Sequence, residues 1–115
     1  MSDYAETAKA VSSGAVALRK AHPKMMEAFA ALGAAVYPDG ALDAKTKELI
    51  ALAISVTVRC DGCVAAHGRS AYQKGVGRDE LVEAIGVAVH MGGGPSMVYG
   101  AEALRAYDSF AAEAT

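Results

Sequence analysis

Residues 41–67 read ALDAKTKELIALAISVTVRCDGCVAAH, and the fold turns on how the run LIALAISVTV at 49–58 is taken. By periodicity alone, a short apolar stretch rich in Ile and Val suits a buried strand or a buried helix. Its start decides for helix. Asp43 is a good N-cap, Leu42 before it is placed for a hydrophobic staple, and the first turns carry Lys45, Lys47 and Glu48. The reading is a helix from Ala44 to about Val58, then another that begins near Cys60 and stops at Gly75, where Gly75-Val76-Gly77 supplies a C-cap and a turn.

Outward from this stretch the pattern stays helical. Tyr4, Ala8, Val11, Ala15 and Leu18 recur at steps of four and three and predict a first helix ending before Pro23. Met25, Phe29, Leu32 and Val36 repeat the pattern for a second, closed by Tyr37-Pro38-Asp39-Gly40, and Met25 and Met26 read as core filler. On the C-terminal side Arg78 to Met91 forms a fifth helix with Leu81, Ile85 and Ala88 as its inner stripe. Gly92-Gly93-Gly94 ends it, and Pro95 opens a last helix running to about Phe110. Alanine occupies 26 of 115 positions, Trp is absent and Phe occurs twice, so close packing of small residues on helices is expected. The fold class is therefore all-α, about six helices in one domain over 1–115.

Composition narrows the function classes. Eleven Lys and Arg against 13 Asp and Glu give a net charge of −2, with no basic block to track phosphates, so nucleic acid is not expected as a partner. The longest apolar run is too short to span a bilayer and contains Ser55 and Thr57, so no membrane segment is expected. The N-terminus, MSDYAETAKA, lacks the basic and apolar regions of a secretory signal, so a cytoplasmic location is expected. A chain this short with 53% hydrophobic residues has little surface on which to solvate its apolar faces, and a homo-oligomer is expected.

The chemistry sits in Cys60-Asp61-Gly62-Cys63-Val64-Ala65-Ala66-His67. At about 100° per residue, Cys60, Cys63 and His67 fall within roughly a 60° arc of one helix face. Cys63 and His67 are i and i+4, so the imidazole can take the thiol proton and hold the thiolate. Cys60 stands at the helix start, where unpaired N–H groups also favour thiolate and a sulfur three residues away can close a disulfide on oxidation. Other readings compete. A structural zinc site needs a fourth ligand beyond Cys60, Cys63 and His67, so no metal is assigned; a c-type haem needs His where Val64 stands; a thioredoxin-like domain needs more strands; two inert buried thiols complete the set. Glu48, twelve positions before Cys60, reads on its own as a solvated charge beside Lys45 and Lys47. In a helical hairpin it would instead reach and orient His67. His22 and His90 read as structural or surface residues, and the triple glycine as a tight turn rather than a phosphate loop.

Glu48, Cys60-x-x-Cys63 and His67, with the flanking ALDAKTKELIALAISVTVRCDGCVAAH and EAIGVAVHMGGGPSMVYGAEAL, resemble the carboxymuconolactone decarboxylase-like superfamily in its alkylhydroperoxidase D-like branch, over roughly Pro23 to Asp108. The resemblance implies an all-helical fold assembled as a hexamer or a trimer of intertwined subunits. It implies an alkyl hydroperoxide reductase or disulfide reductase of antioxidant type, with Cys63 attacking peroxide, Cys60 resolving, and Glu48 with His67 as proton relay. The implied partners are a peroxide and an external dithiol or lipoyl-type electron donor, with no cofactor bound. One position departs: the best-studied members carry His immediately before the second cysteine, where this chain has Gly62, and Asp61 adds a negative charge nearby. The alternatives are a lactone decarboxylase or isomerase, which does not use this cysteine pair, and a non-enzymatic redox-sensing oligomer.

Overall fold

The computed structural model describes residues 4–114, and among these every regular element is an α-helix. They are α1 (Tyr4–Ala21), α2 (Pro23–Val36), α3 (Ala44–Thr57), α4 (Asp61–Gln73), α5 (Arg78–Gly92) and α6 (Gly94–Ala114). The ambiguous run at 49–58 is helical, as its cap predicts: Asp43 Oδ1 accepts the Thr46 N–H at 2.7 Å, and Asp39 Oδ1 accepts the Ala44 N–H at 2.7 Å. Among the described residues no helix is long and apolar enough to cross a membrane.

Helices α3 to α6 pack on one another and enclose the core, which includes Leu52, Val56, Val64, Ala65, Leu81, Ala103 and Ala106. Small residues set the spacing, as the alanine content leads one to expect. A Cβ at Gly100 on α6 would stand 2.6 Å from Ile85 Cγ2 on α5, so this crossing needs a glycine. The turn after α4 is tied to α6 by the Tyr107 hydroxyl donating to Val76 O at 2.6 Å, and by Arg78 paired through two nitrogens with Asp108 at 2.9 and 3.0 Å.

The first two helices behave differently. Helix α1 lies against α4 and α6 and buries Tyr4 and Ala8, and the Tyr4 hydroxyl bonds to Glu102. Its predicted stripe stops there, because Val11 and Leu18 are exposed. Among the described residues, helix α2 packs along α1, is tied to α3 at its C-terminal end by Lys47 Nζ donating to Val36 O, and buries nothing fully. The expectation that Met25, Phe29, Leu32 and Val36 form an inner stripe is corrected: all four are exposed, as is the intended staple Leu42, and Met26 is only half-buried. Met25 and Met26 are therefore not core filler within the chain; together with Leu18 and Phe29 they line an apolar surface cleft. The periodicity identified the apolar face, which among the described residues stays largely exposed.

Candidate active site

The site begins with the way α3 ends. Arg59 adopts φ 57°, the left-handed conformation usually left to glycine. Its N–H reaches Val56 O at 3.3 Å and the Cys60 N–H reaches Ser55 O at 3.2 Å, the paired bonds of a Schellman turn. The same motif closes α4 with Gly75, φ 83°, through Gly75 N–H to Tyr72 O and Val76 N–H to Ala71 O. The first turn delivers Cys60 as the N-cap of α4, where its Sγ accepts the Cys63 N–H at 3.2 Å. Cys60 and Cys63 are joined in a disulfide, with Cα atoms 5.2 Å apart, and both are half-buried.

Helix α3 supplies the second part. Glu48 is 1% exposed, so the solvated-charge reading is overturned. The reason is register: the buried residues of α3 are Glu48, Leu52, Ser55 and Val56, and the carboxylate lies on the core stripe one turn before Leu52. Each of its oxygens has a cationic or ring-nitrogen partner. Oε1 lies 2.5 Å from His67 Nδ1, and Oε2 accepts from Lys74 Nζ at 2.8 Å. Burial pushes the Glu48 carboxyl up, but His67 and Lys74 together hold it below the usual carboxylate range, so it stays ionised. An ionised carboxylate at Nδ1 requires the proton there, which leaves Nε2 as the nitrogen free to accept.

The site residues expected from the sequence thus come together: Cys60 and Cys63 at the start of α4, His67 one turn after Cys63, and Glu48 across the α3–α4 contact. Two neighbours escaped the sequence reading. Lys74 was legible, since it follows His67 by seven residues and Cys60 by fourteen, which puts all three on one stripe of α4. Tyr37, the C-cap of α2, had no such signal; its ring centroid lies 6.1 Å from that of His67, and Lys74 Nζ sits 4.9 Å from the Tyr37 centroid. On the α1 side, Val11 Cγ2 stands 2.9 Å from where a Gly62 Cβ would be, so α1 fills the space a larger residue at 62 would claim. The Asp61 charge is shared with Tyr99, whose phenol is pushed up chiefly by hydrogen bonding to that carboxylate. Of the other histidines, His22 caps α2 by accepting the Met25 N–H at 3.4 Å, and His90 is exposed.

Comparison with known proteins follows the same residues. Positions 23–106 match the carboxymuconolactone decarboxylase family. The chain is 40% identical over 93 residues to an uncharacterised protein of Cupriavidus necator, covering 81% of this chain and 82% of that one. A carboxymuconolactone decarboxylase family protein from Legionella pneumophila has a crystal structure similar at TM-score 0.91 and 43% identity, covering 93% of this chain and 96% of that chain. A Thermotoga maritima family member, for which involvement in antioxidative response has been suggested, is similar at TM-score 0.70 and 29% identity over 86% of this chain and 91% of its own. With the family matched over most of its length and the helices superposing on solved members, the chain belongs to the carboxymuconolactone decarboxylase family.

Proposed function

We propose that this protein is a cytoplasmic thiol-dependent peroxidase or disulfide reductase cycling through Cys60 and Cys63. The observation that carries the reading is the disulfide at the start of α4, one turn from an imidazole oriented by a buried carboxylate. In the reduced protein Nε2 of His67 takes the Cys63 proton, and the thiolate attacks the terminal oxygen of a hydroperoxide. The O–O bond breaks, Cys63 becomes a sulfenic acid, and the leaving alkoxide takes the proton back from His67 as alcohol. The Cys60 thiol then displaces water from Cys63, forming the disulfide, and an external dithiol restores both thiols while being oxidised itself. The antioxidative role suggested for the Thermotoga maritima relative accords with this chemistry.

A donor-screened assay with dihydrolipoamide, thioredoxin and glutathione tests the reading. Peroxide consumption that needs one of these donors and disappears in Cys60→Ser and in Cys63→Ser supports it. Lactone turnover by the double Ser variant would replace it with a decarboxylase, and a single oxidation without turnover would replace it with a sensor. We further propose that the chain works as a homo-oligomer, a hexamer ahead of a trimer. The exposed apolar stripe of α2 supports this. Light scattering should show an assembly at micromolar concentration and its loss in Phe29→Asp; a monomeric parent would end the claim.

A further inference from the structure

Among the described residues, Lys74 brings an ammonium to Glu48 beside the His67 imidazole, and it does so from the far end of α4, where the helix closes on Gly75. Its ammonium is fixed at two points, the Glu48 Oε2 and the face of the Tyr37 ring, while the same ring lies tilted beside His67. Tyr37 thus backs both partners of the carboxylate. A neutral His67 beside an ionised Glu48 would by itself leave a buried, poorly solvated negative charge. The Lys74 ammonium supplies the missing positive charge, so Glu48 remains an ionised acceptor whether His67 is neutral or protonated.

We propose that Lys74 is a positioning residue that sets the pH range in which the Glu48–His67 pair accepts the Cys63 proton, a role that rests on the redox chemistry proposed above. The other charged groups near the pair are engaged elsewhere. On α3, Lys45 pairs with Glu80 of α5 at 3.2 Å, and Lys47 donates to the carbonyls of Val36 and Pro38. Asp39 and Asp43 in the preceding loop accept the N–H groups that start α3. From α6, Asp108 is held by Arg78, and Arg69 of α4 points the other way, over Phe110. Beside Ala66 and Arg69 of α4, α1 contributes Ala8, Val11 and Ser12 to a surface pocket.

The test reads thiol chemistry directly, independently of any peroxide. In reduced protein carrying Cys60→Ser, so that Cys63 is the only thiol, the rate of alkylation by iodoacetamide is followed against pH with and without Lys74→Met. Removing a positive charge raises the proton affinity of the whole site, so the midpoint should move to higher pH, by about one unit. Lys74→Gln keeps a hydrogen-bond donor without the charge and should move with Lys74→Met; Lys74→Arg should restore the parent midpoint. Coincident midpoints in folded parent, Met and Gln variants would overturn the proposal, as would an Arg variant that shifts with Met. If Lys74→Met does not fold, the Gln and Arg variants alone decide. A shifted midpoint in a protein that turns over no peroxide would leave Lys74 in this role and reject the peroxidase reading instead.

Discussion

Leu52 on α3 and Phe29 on α2 are both large apolar residues on helical stripes, yet Leu52 is 1% exposed and Phe29 is 70% exposed. Around Leu52 the chain is self-sufficient: four helices close on small residues, and Glu48 on the same stripe is compensated at both oxygens. Around Phe29 the described residues offer α1. Amphipathicity states which face seeks cover and leaves open what provides it. The candidate site at Glu48 and His67 lies in the self-sufficient part, and the exposed apolar face lies on α2.

The largest effect that would break this contrast is in the core. Leu52→Ala should lower stability by about 3 kcal/mol at any protein concentration, because it leaves a cavity inside one chain. Phe29→Ala should matter only where the oligomer forms, so its effect on urea denaturation should vanish on dilution to monomer. A Phe29→Ala penalty that persists in dilute protein would show that this face of α2 is packed within the chain. Next comes Glu48→Gln, which should reduce peroxide turnover by about tenfold to a hundredfold while leaving the helical circular dichroism intact, the range of a general acid–base contribution. An unchanged rate would detach Glu48 from the chemistry.

The same variant has a signature in stability against pH. The Glu48 carboxyl is held below its ordinary value of 4.5 in the folded protein, so its contribution is fully present above that pH. It is lost as pH falls through the lowered folded value. Parent stability should therefore drop more steeply than that of Glu48→Gln below about pH 4.5. Asp43 and Asp108 are also held low by hydrogen bonds, but they are common to both proteins and cancel in the difference. Parallel curves would mean the carboxylate is not compensated as its bonds indicate. The smallest effect is at Arg59. Arg59→Gly relieves the left-handed strain but loosens the unfolded chain, so a net stabilisation of about 0.5 kcal/mol is expected in urea titrations. A clear destabilisation would show that the Arg59 side chain contributes to the turn.

How much of this was legible depends on how local the signal is. The start of α3 could be read because Asp43 acts on an amide three residues away, and the end of α4 because glycine is the usual residue for its left-handed conformation. The matching turn at Arg59 could not, since no glycine marks it; Cys60 was placed near a helix start by spacing rather than by the turn that puts it there. His67 and the cysteines share one face by arithmetic, whereas Glu48 needed the α3–α4 contact to count as more than a surface charge. Its position one turn before Leu52 was the local clue that it faces inward. Tyr37 joins the site only through tertiary packing after a loop-forming stretch, which periodicity does not address.

Trapping the first oxidised sulfur distinguishes attack by Cys63, with Cys60 resolving, from the reverse order. Cys63 has the His67 base one turn ahead, whereas Cys60 sits two turns from it at the helix cap. In reduced Cys60→Ser, one equivalent of peroxide followed by a dimedone-type reagent should place the label on Cys63, and His67→Ala should slow that labelling. In Cys63→Ser, labelling of Cys60 should be slow. Labelling of Cys60 in Cys63→Ser at the rate seen for Cys63, unaffected by His67→Ala, would contradict the account and assign the attack to the helix-cap thiol.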